Sequence, residues 1–476
     1  MLYQNYEMVI GLEVHVELKT ATKIFCNCKT EFGAEPNTQC CPICMGMPGT
    51  LPVLNGKVVD YAIKAGIATN CNIASYSKQD RKNYFYPDLP KAYQISQYDL
   101  PLCENGHIDI ECETGTKRIG ITRIHIEEDA GKLIHDDKLG TLIDCNRCGV
   151  PLIEIVSEPD LRSAEEAKAY LQKLRAIIMY TGVSDCKMNE GSLRCDVNLS
   201  VRKAGETILG TRTEMKNLNS FQFIMKAIEF EYKRQVDAVE AGELIVQETR
   251  RFDADTGKTY SMRRKENAND YRYFPDPDLP PIEITEAMFS TIKKSIPMLP
   301  DERKMLYIKN YGLSSYDSEM LINNKTVADY YEVGAKNTDY PKLLANLLIS
   351  EVFRLIDADT ETIRISSLNL AKVAQMIGEQ RINSSVAKRI VKELWENEFD
   401  PEVMVKEKNL EQINDRELLL QYVREAISAN PKSVEDYLKG KQSAFKAIVG
   451  QVMSKTAGRG NPVIINDLVI KEIAPN

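Results

Sequence analysis

Glu13, His15 and Glu17 alternate with Leu12, Val14, Val16 and Leu18 in the run Gly11–Lys19. A period of two is the pattern of a half-buried β-strand, whose successive side chains face opposite ways. One face of that strand is aliphatic, and the other presents carboxylate, imidazole, carboxylate. Such a face suits a divalent metal, because carboxylates bind Mg²⁺ or Mn²⁺ and neutral imidazole is the commonest nitrogen ligand. A solvated edge strand is the plainer alternative. Glu154 lies between Leu152, Ile153, Ile155 and Val156, where a carboxylate is costly to bury unless it is paired or metal-bound. Asp196 has the same kind of context in Ser192–Asn198, and His125 precedes Glu127, Glu128 and Asp129. Exposed acids are common, so that last run says little alone. Gathered with Glu13 and His15, these acids would form a cradle for Mg²⁺.

A second constellation is made of sulfur. Cys26-x-Cys28 is followed, after twelve residues, by Cys41-x-x-Cys44. Two closely spaced pairs joined by a loop match a four-cysteine structural zinc site; buried free thiols are the alternative. Cys40 reads as a bystander, since a tetrahedral site needs four ligands. Cys145-x-x-Cys148 has no second pair near it in sequence and reads as a coincidence.

Opposite charge comes from Asp80–Ser96, where Arg81, Lys82 and Lys91 are interleaved with Tyr84, Tyr86 and Tyr93. Cations neutralise phosphate oxygens, and rings stack on bases or ribose. The stretch Asp270–Asp276 repeats the basic, aromatic, Pro-Asp pattern. Both could instead be tightly packed surface loops. The sequence has no Gly-x-x-x-x-Gly-Lys-Ser/Thr phosphate loop and no Gly-x-Ser-x-Gly elbow, so any ATP site is expected to be built from metal and cations on a sheet.

The elements that must hold these residues divide by composition. At 476 residues the chain exceeds one ordinary core, and two to four domains are expected. With 43% hydrophobic and 27% charged residues it has the composition of a soluble globular protein. No apolar run reaches the roughly 18 residues of a membrane span, and the first residues lack the basic and apolar regions of a secretory signal. Twelve cysteines without such a signal point to a reducing, cytoplasmic setting. A net charge of -8 argues against a general nucleic-acid binder, though not against a local basic patch.

The fold class expected is α+β. A large mixed-sheet cradle domain over 1–292 carries two helices, Arg162–Thr181 and Ser220–Ala241. A helical bundle follows over 293–399, with helices at Asp301–Tyr311, Lys325–Ala335, Lys342–Ile356, Leu368–Ile377 and Ser384–Trp395. A small helical tail domain occupies 400–476, with helices near Arg416–Ala429, Ser433–Leu438, Ser443–Lys455 and Val463–Ile473. Between Lys439 and Pro462 stand five basic residues and no acidic one, punctuated by glycines. Such helix ends suit phosphate backbones, or else form an ordinary solvated face.

Taken in order, the motifs resemble the B-subunit family of bacterial aspartyl/glutamyl-tRNA(Asn/Gln) amidotransferases. The resemblance runs through Val9–Lys19, Phe32–Asn37, Asp80–Gln97, Ile124–Lys132, Pro151–Asp160, Gly191–Asp196, Glu214–Phe221, Glu248–Asp253 and Asp270–Pro275. It implies a ligase of protein biosynthesis that uses ATP and Mg²⁺ to phosphorylate the side-chain carboxylate of Glu-tRNA(Gln) or Asp-tRNA(Asn). Ammonia then displaces the phosphate. The implied partners are a glutaminase A subunit, which supplies ammonia through a channel, and a small C subunit, in a heterotrimer. The resemblance draws the Mg²⁺ ligands from Glu13, His15, Glu128, Glu154 and Asp196. It makes Glu128, Lys82 and Lys91 the catalytic residues, the lysines contacting phosphate or gating ammonia, with Arg81 and Tyr84 against the nucleotide. It makes zinc on Cys26, Cys28, Cys41 and Cys44 structural, and the tail domain tRNA-binding. A tRNA-binding scaffold without chemistry of its own and a stand-alone Mg²⁺-dependent hydrolase are the competing readings. The acids on the Glu13–His15 face favour catalysis over the scaffold.

Overall fold

The computed structural model describes residues 3–113, 115–264, 270–356 and 362–473. Its backbone forms two compact units, Met1–Pro300 and Asp301–Asn476.

The first unit is built on a nine-stranded sheet. Its strands, in chain order, are β1 (Tyr6–Glu17), β2 (Asn72–Ile73), β3 (Cys103–Cys112), β4 (Gly115–Glu128), β5 (Pro151–Ser157), β6 (Leu193–Lys203), β7 (Thr213–Lys216), β8 (Glu248–Asp253) and β9 (Lys258–Arg264). Across the sheet they run β9-β8-β7-β6-β1-β5-β4-β3-β2. All neighbours are antiparallel except β7 and β8. The motif strand β1 is central, so it is no solvated edge.

The alternation in β1 separates the two faces. Leu12, Val14 and Val16 are buried in one hydrophobic core with residues of α1 (Gly56–Ala68), α2 (Ala164–Thr181) and α3 (Phe221–Glu240). Glu13, His15 and Glu17 look the other way and stay half-buried. Ser163 caps α2 by accepting from the Glu166 amide, and Gly182 ends it at φ 74°. Ser220 caps α3 by accepting from the Phe223 amide, a pattern readable in sequence. Helix α1 is not among the expected elements. It begins on Gly56 and contains Gly66 and several β-branched residues, which weaken its propensity, and burial of Val58, Val59, Ala62 and Ile63 decides for helix.

A three-stranded sheet of Phe274–Pro275, Asp80–Asn83 and Tyr93–Ser96 accompanies the large one. The chain around the proline cluster therefore returns to the cradle: Phe274 and Pro275 pair with Arg81 and Asp80, and Ile282 and Glu283 with Ser77 and Tyr76.

In the second unit one core runs from Tyr307 to Leu410 and another from Leu419 to Ile473. The division expected at Asp400 falls inside the first core. A short helix, Pro401–Glu407, packs Met404 and Val405 there, and Leu410 closes it. Asp400 and Pro401 are the N-cap and first turn of that helix. The helix expected at Lys342–Ile356 is regular from Pro341 to Leu347 and widens over Leu348–Val352 into a π-turn. Short helices at Glu286–Lys294 and Ser315–Ile322 add to those expected.

Candidate functional site

Strand register brings acids from five strands onto one face. His15 lies opposite Glu154, and Glu154 opposite His125. Glu13 lies opposite Asp196, and Asn198 opposite Glu214. Paired residues share a face, so this row crosses β7, β6, β1, β5 and β4. It resolves into two groups, His15–Glu127–Glu154 and Glu13–Asp196–Glu214, and in each the ligand atoms lie within 4.8 Å of one another.

The first group is built around a buried histidine. His125 Nε2 lies 3.1 Å from Glu127 Oε1 and 3.2 Å from Glu154 Oε2, and His15 Nε2 is 3.7 Å from the same Glu154 oxygen. Burial works against a charged His125, but the hydrogen bonds to Glu127 and Glu154 prevail and push its pKa up to about 9. Glu127 also accepts from the Ser96 hydroxyl at 2.7 Å. It is held below the usual carboxylate range, His125 outweighing the cost of burial.

In the second group Glu13 accepts from the Asn198 amide at 3.0 Å, and Lys216 pairs with both Asp196 and Glu214. Burial raises the pKa of Glu13, and Glu154, Glu214 and Asp196 add to the rise. Next along the face, burial and then Asp129 push Glu17 up to about 8, while Arg194 grips Asp129 with both terminal nitrogens. Oxygen donors with one imidazole, partly buried and crowded with like charge, fit a hard divalent cation.

Glu128 stands apart. One residue beyond Glu127, it falls on the opposite side of β4, where Lys91 pairs with it and the Ile95 amide donates to Oε1 at 2.8 Å. The structure therefore brings together Glu13, His15, Glu154 and Asp196 in two adjoining groups, adds Glu127 and Glu214, and leaves Glu128 out of both. Parity is the signal for Glu127: His125-x-Glu127 keeps the period of two. Glu214 heads the motif Glu214–Phe221, yet nothing in that segment alone marks it as a ligand.

The cations divide as well. Among the described residues Lys82 makes no hydrogen bond or ion pair; its ammonium lies 5.1 and 5.9 Å from the ring centres of Tyr271 and Tyr84. Burial opposes its charge, but Glu127 outweighs that and raises its pKa. Lys82 is a cation held ready beside the acids. Arg81 is committed elsewhere: Nε pairs with Asp276 at 2.7 Å, Nη2 with Asp278 at 2.9 Å, and the guanidinium covers the Tyr93 ring. These pairs tie the strand Asp80–Asn83 to the segment that follows Pro275. Tyr84 packs edge-on against Tyr271, and burial pushes its hydroxyl up to about 12.

A cavity of about 630 Å³ opens over the Glu17–Arg194–Asp196 part of the face, walled by Phe32–Ala34, Lys132, Arg147, Asn217 and Asn219. A smaller one, about 140 Å³, lies between Lys91–Glu128 and the cysteine loop.

In that loop Cys26, Cys28, Cys41 and Cys44 bring their sulfurs within 4.8 Å of one another, as a tetrahedral zinc site requires. Cys40 turns to the Asn37 carbonyl, 3.3 Å away. Cys145 and Cys148 are buried in the same cysteine-rich cluster as Cys44. The turn that carries them is delivered from about a hundred residues downstream, which spacing alone does not reveal. Lys23, fully buried, donates to the Cys145 carbonyl at 3.1 Å and reaches Cys44 Sγ at 3.6 Å.

The expected basic tail is partly neutralised. Lys439 pairs with Glu435, Lys441 with Asp436 and Lys455 with Glu425, and Arg459 donates to the Asn409 carbonyl. Among the described residues Lys446 makes no ion pair or hydrogen bond. No helix of the described residues is long and apolar enough to cross a membrane.

Comparison with known proteins gives two family matches, the GatB/GatE catalytic domain over residues 8–290 and the GatB domain over 329–473. A protein of Caldicellulosiruptor saccharolyticus is 58% identical over 476 residues, covering 98% of this chain and 99% of its own. One of Caldanaerobacter subterraneus is 55% identical over 473 residues, covering 99% and 100%. One of Thermodesulfovibrio yellowstonii is 50% identical over 470 residues, covering 98% and 99%. Each is named as the B subunit of an aspartyl/glutamyl-tRNA(Asn/Gln) amidotransferase.

Proposed function

The chain belongs to the GatB/GatE family, and on that premise we propose that it is the kinase and transamidase subunit of a tRNA-dependent amidotransferase. It converts Glu-tRNA(Gln) or Asp-tRNA(Asn) to Gln-tRNA(Gln) or Asn-tRNA(Asn). A carboxylate is a poor electrophile, so ATP must first turn one of its oxygens into a phosphate leaving group. Ammonia then attacks the carbonyl carbon and phosphate departs.

The observation that carries this reading is the sheet face itself: two adjoining groups of metal-competent side chains, a lysine beside one of them with no direct partner among the described residues, and a cavity large enough for a nucleotide that reaches Asp196 of the other. Mg²⁺ would be held by His15, Glu127 and Glu154 or by Glu13, Asp196 and Glu214. When bound it supplies charge neutralisation for the transferred phosphoryl group. Lys82 meets phosphate oxygens from the aromatic side, with Tyr84 bracing it. Arg194, fixed by Asp129, lines the cavity in which the nucleotide sits. Lys91 and Glu128 form a closed pair at the smaller cavity and gate the ammonia path. Zinc on Cys26, Cys28, Cys41 and Cys44 is structural.

A glutaminase A subunit and a small C subunit complete a cytoplasmic heterotrimer, and the helical tail holds the tRNA. The scaffold alternative is disfavoured by the acids themselves, since half-burying so many carboxylates on one face serves no purpose in a scaffold. The test is formation of phosphorylated Glu-tRNA from labelled ATP by the complex carrying His15→Ala or Glu154→Gln. Both variants should lose it while glutamine hydrolysis persists; wild-type phosphorylation in both would remove the kinase from this face.

A further inference from the structure

The Glu13–Asp196–Glu214 group carries its own cation. Lys216 donates to Glu214 Oε1 at 3.0 Å and makes a still shorter contact with Asp196 Oδ2. Glu13 is met by a neutral amide, from Asn198. The oxygens of the three carboxylates lie close enough to share one metal ion, and Lys216 is a cation in contact with two of them. The acids are fixed in the sheet, the side chains of Asp196 and Glu214 being 17% and 14% exposed, while that of Lys216 is 41% exposed. It reaches in from the rim on a flexible four-carbon stem. An ammonium and a divalent ion compete for the same oxygens, each weakening the hold of the other through charge repulsion. The other group differs, because the cation against its acids is His125, buried within the sheet, which has nowhere to go.

We infer that Lys216 is an exchangeable counter-cation: it holds Asp196 and Glu214 while no metal is bound, and it yields them to a divalent ion when an anionic phosphate can take up its charge. The inference rests on the reading of this face as a metal and polyphosphate site. Lys216 is then a positioning residue rather than a ligand, and its exchange couples metal binding to nucleotide binding. Such coupling is reciprocal: whatever nucleotide does for metal affinity, metal does for nucleotide affinity. The lysine keeps the carboxylates from filling with stray divalent ions and offsets their mutual repulsion until substrate arrives.

The test is Mn²⁺ binding by the full-length chain in its complex, followed through the signal of free Mn²⁺, with and without a non-hydrolysable ATP analogue. The reading is taken on the fraction of binding that Asp196→Asn abolishes. In the wild type this fraction should be weak alone and enhanced by the analogue. In Lys216→Met it should bind about tenfold tighter without the analogue, about 1.4 kcal/mol, and the enhancement should shrink by the same factor. Lys216→Gln, which keeps a donor but loses the charge, should show the same gain, and Lys216→Arg should keep the wild-type pattern. A merely structural lysine would give the opposite sign, since a loosened site binds metal less well. Unchanged or weaker Mn²⁺ binding in both neutral variants overturns the inference while leaving the metal site standing. If Asp196→Asn and Glu13→Gln bind Mn²⁺ as the wild type does, the metal reading of this group fails, and the inference with it.

Discussion

Replacing Lys23 by methionine should weaken zinc binding without harming the metal-free protein. The Lys23 ammonium is fully buried, 3.6 Å from Cys44 Sγ and 3.1 Å from the Cys145 carbonyl. Four thiolates around Zn²⁺ carry a formal excess of two negative charges, and Lys23 is the cation in contact with one of them. A hydrogen bond to a charged partner contributes about 1.5–3 kcal/mol. Losing it from the metal-bound state should raise the zinc dissociation constant about ten- to hundredfold, at about 1.4 kcal/mol per decade. In the metal-free protein the sulfurs can take up protons, and the buried ammonium becomes a cost rather than a gain. Methionine, similar in length and uncharged, should then be neutral or stabilising. The assay is competition for zinc against a chromophoric chelator, with melting temperatures taken before and after metal removal. The gap between the two melting temperatures should narrow in the variant. An unchanged dissociation constant, or an equal fall in both melting temperatures, would refute the assignment of Lys23 as the site's counter-charge.

Elemental analysis should find about one zinc per chain, lost in the double variant Cys26→Ser, Cys41→Ser together with a lower melting temperature; full retention of zinc would refute the site. Because the helical core runs through Leu410, a chain ending at Gln412 should stay folded, bind tRNA more weakly and still hydrolyse ATP in the complex. Within the tail, Lys446→Ala should lower the slope of log affinity against log salt by about 1, more than Lys441→Ala, whose lysine is already paired with Asp436. Glu231 is fully buried and receives Thr213, Gln235, Arg234 and Arg250, so Glu231→Ala should cost about 3–5 kcal/mol in urea unfolding of the first unit. Burial alone would raise its pKa, but Arg234 prevails and the net shift is downward. Its stabilisation is therefore present above the ordinary carboxylate range and is lost as pH falls through the depressed value, and the acid limb of the melting curve should flatten in Glu231→Gln.

What is legible in the sequence and what is not follows from the range of the forces involved. Alternation in β1 is local, and Leu12, Val14 and Val16 pack away from Glu13, His15 and Glu17 as a period of two requires. Helix caps are local too, which is why Ser163 and Ser220 mark their helices to within a residue. The four-cysteine group also meets as its spacing implies. Register is not local. Parity puts Glu127 on the face of His125, but that this face meets the acids of β1 needs the pairing of Glu154 with His125 and His15, which no single segment contains. Gln94, Ile95 and Ser96 add to this from a different sheet, Ile95 donating to the Glu128 carboxylate and Gln94 and Ser96 to that of Glu127. The same holds for Arg81, whose guanidinium meets Asp276 and Asp278 nearly two hundred residues away. A basic residue in a basic–aromatic motif looks free until its distant acid is known. Cys145 and Cys148 look coincidental for the same reason, since the cysteines they join lie far away in the chain.

The cations on the polar face can be ordered by what it takes to displace them, and that order separates scaffold from chemistry. His125 is enclosed between Glu127 and Glu154 inside the sheet; removing it would leave two buried carboxylates uncompensated, at a cost of several kcal/mol. Arg194 is held by both oxygens of Asp129, a planar fork that gives up its geometry reluctantly. Lys216 sits at the rim on a mobile stem. Lys82 has rings on one side, acids facing it, and no direct partner among the described residues. The first two hold the acids in place whether or not anything is bound. The last two have charge to give to an incoming anion, and they flank the two carboxylate groups separately. An anionic substrate that arrives with a divalent cation exchanges charges with such a face rather than adding to them.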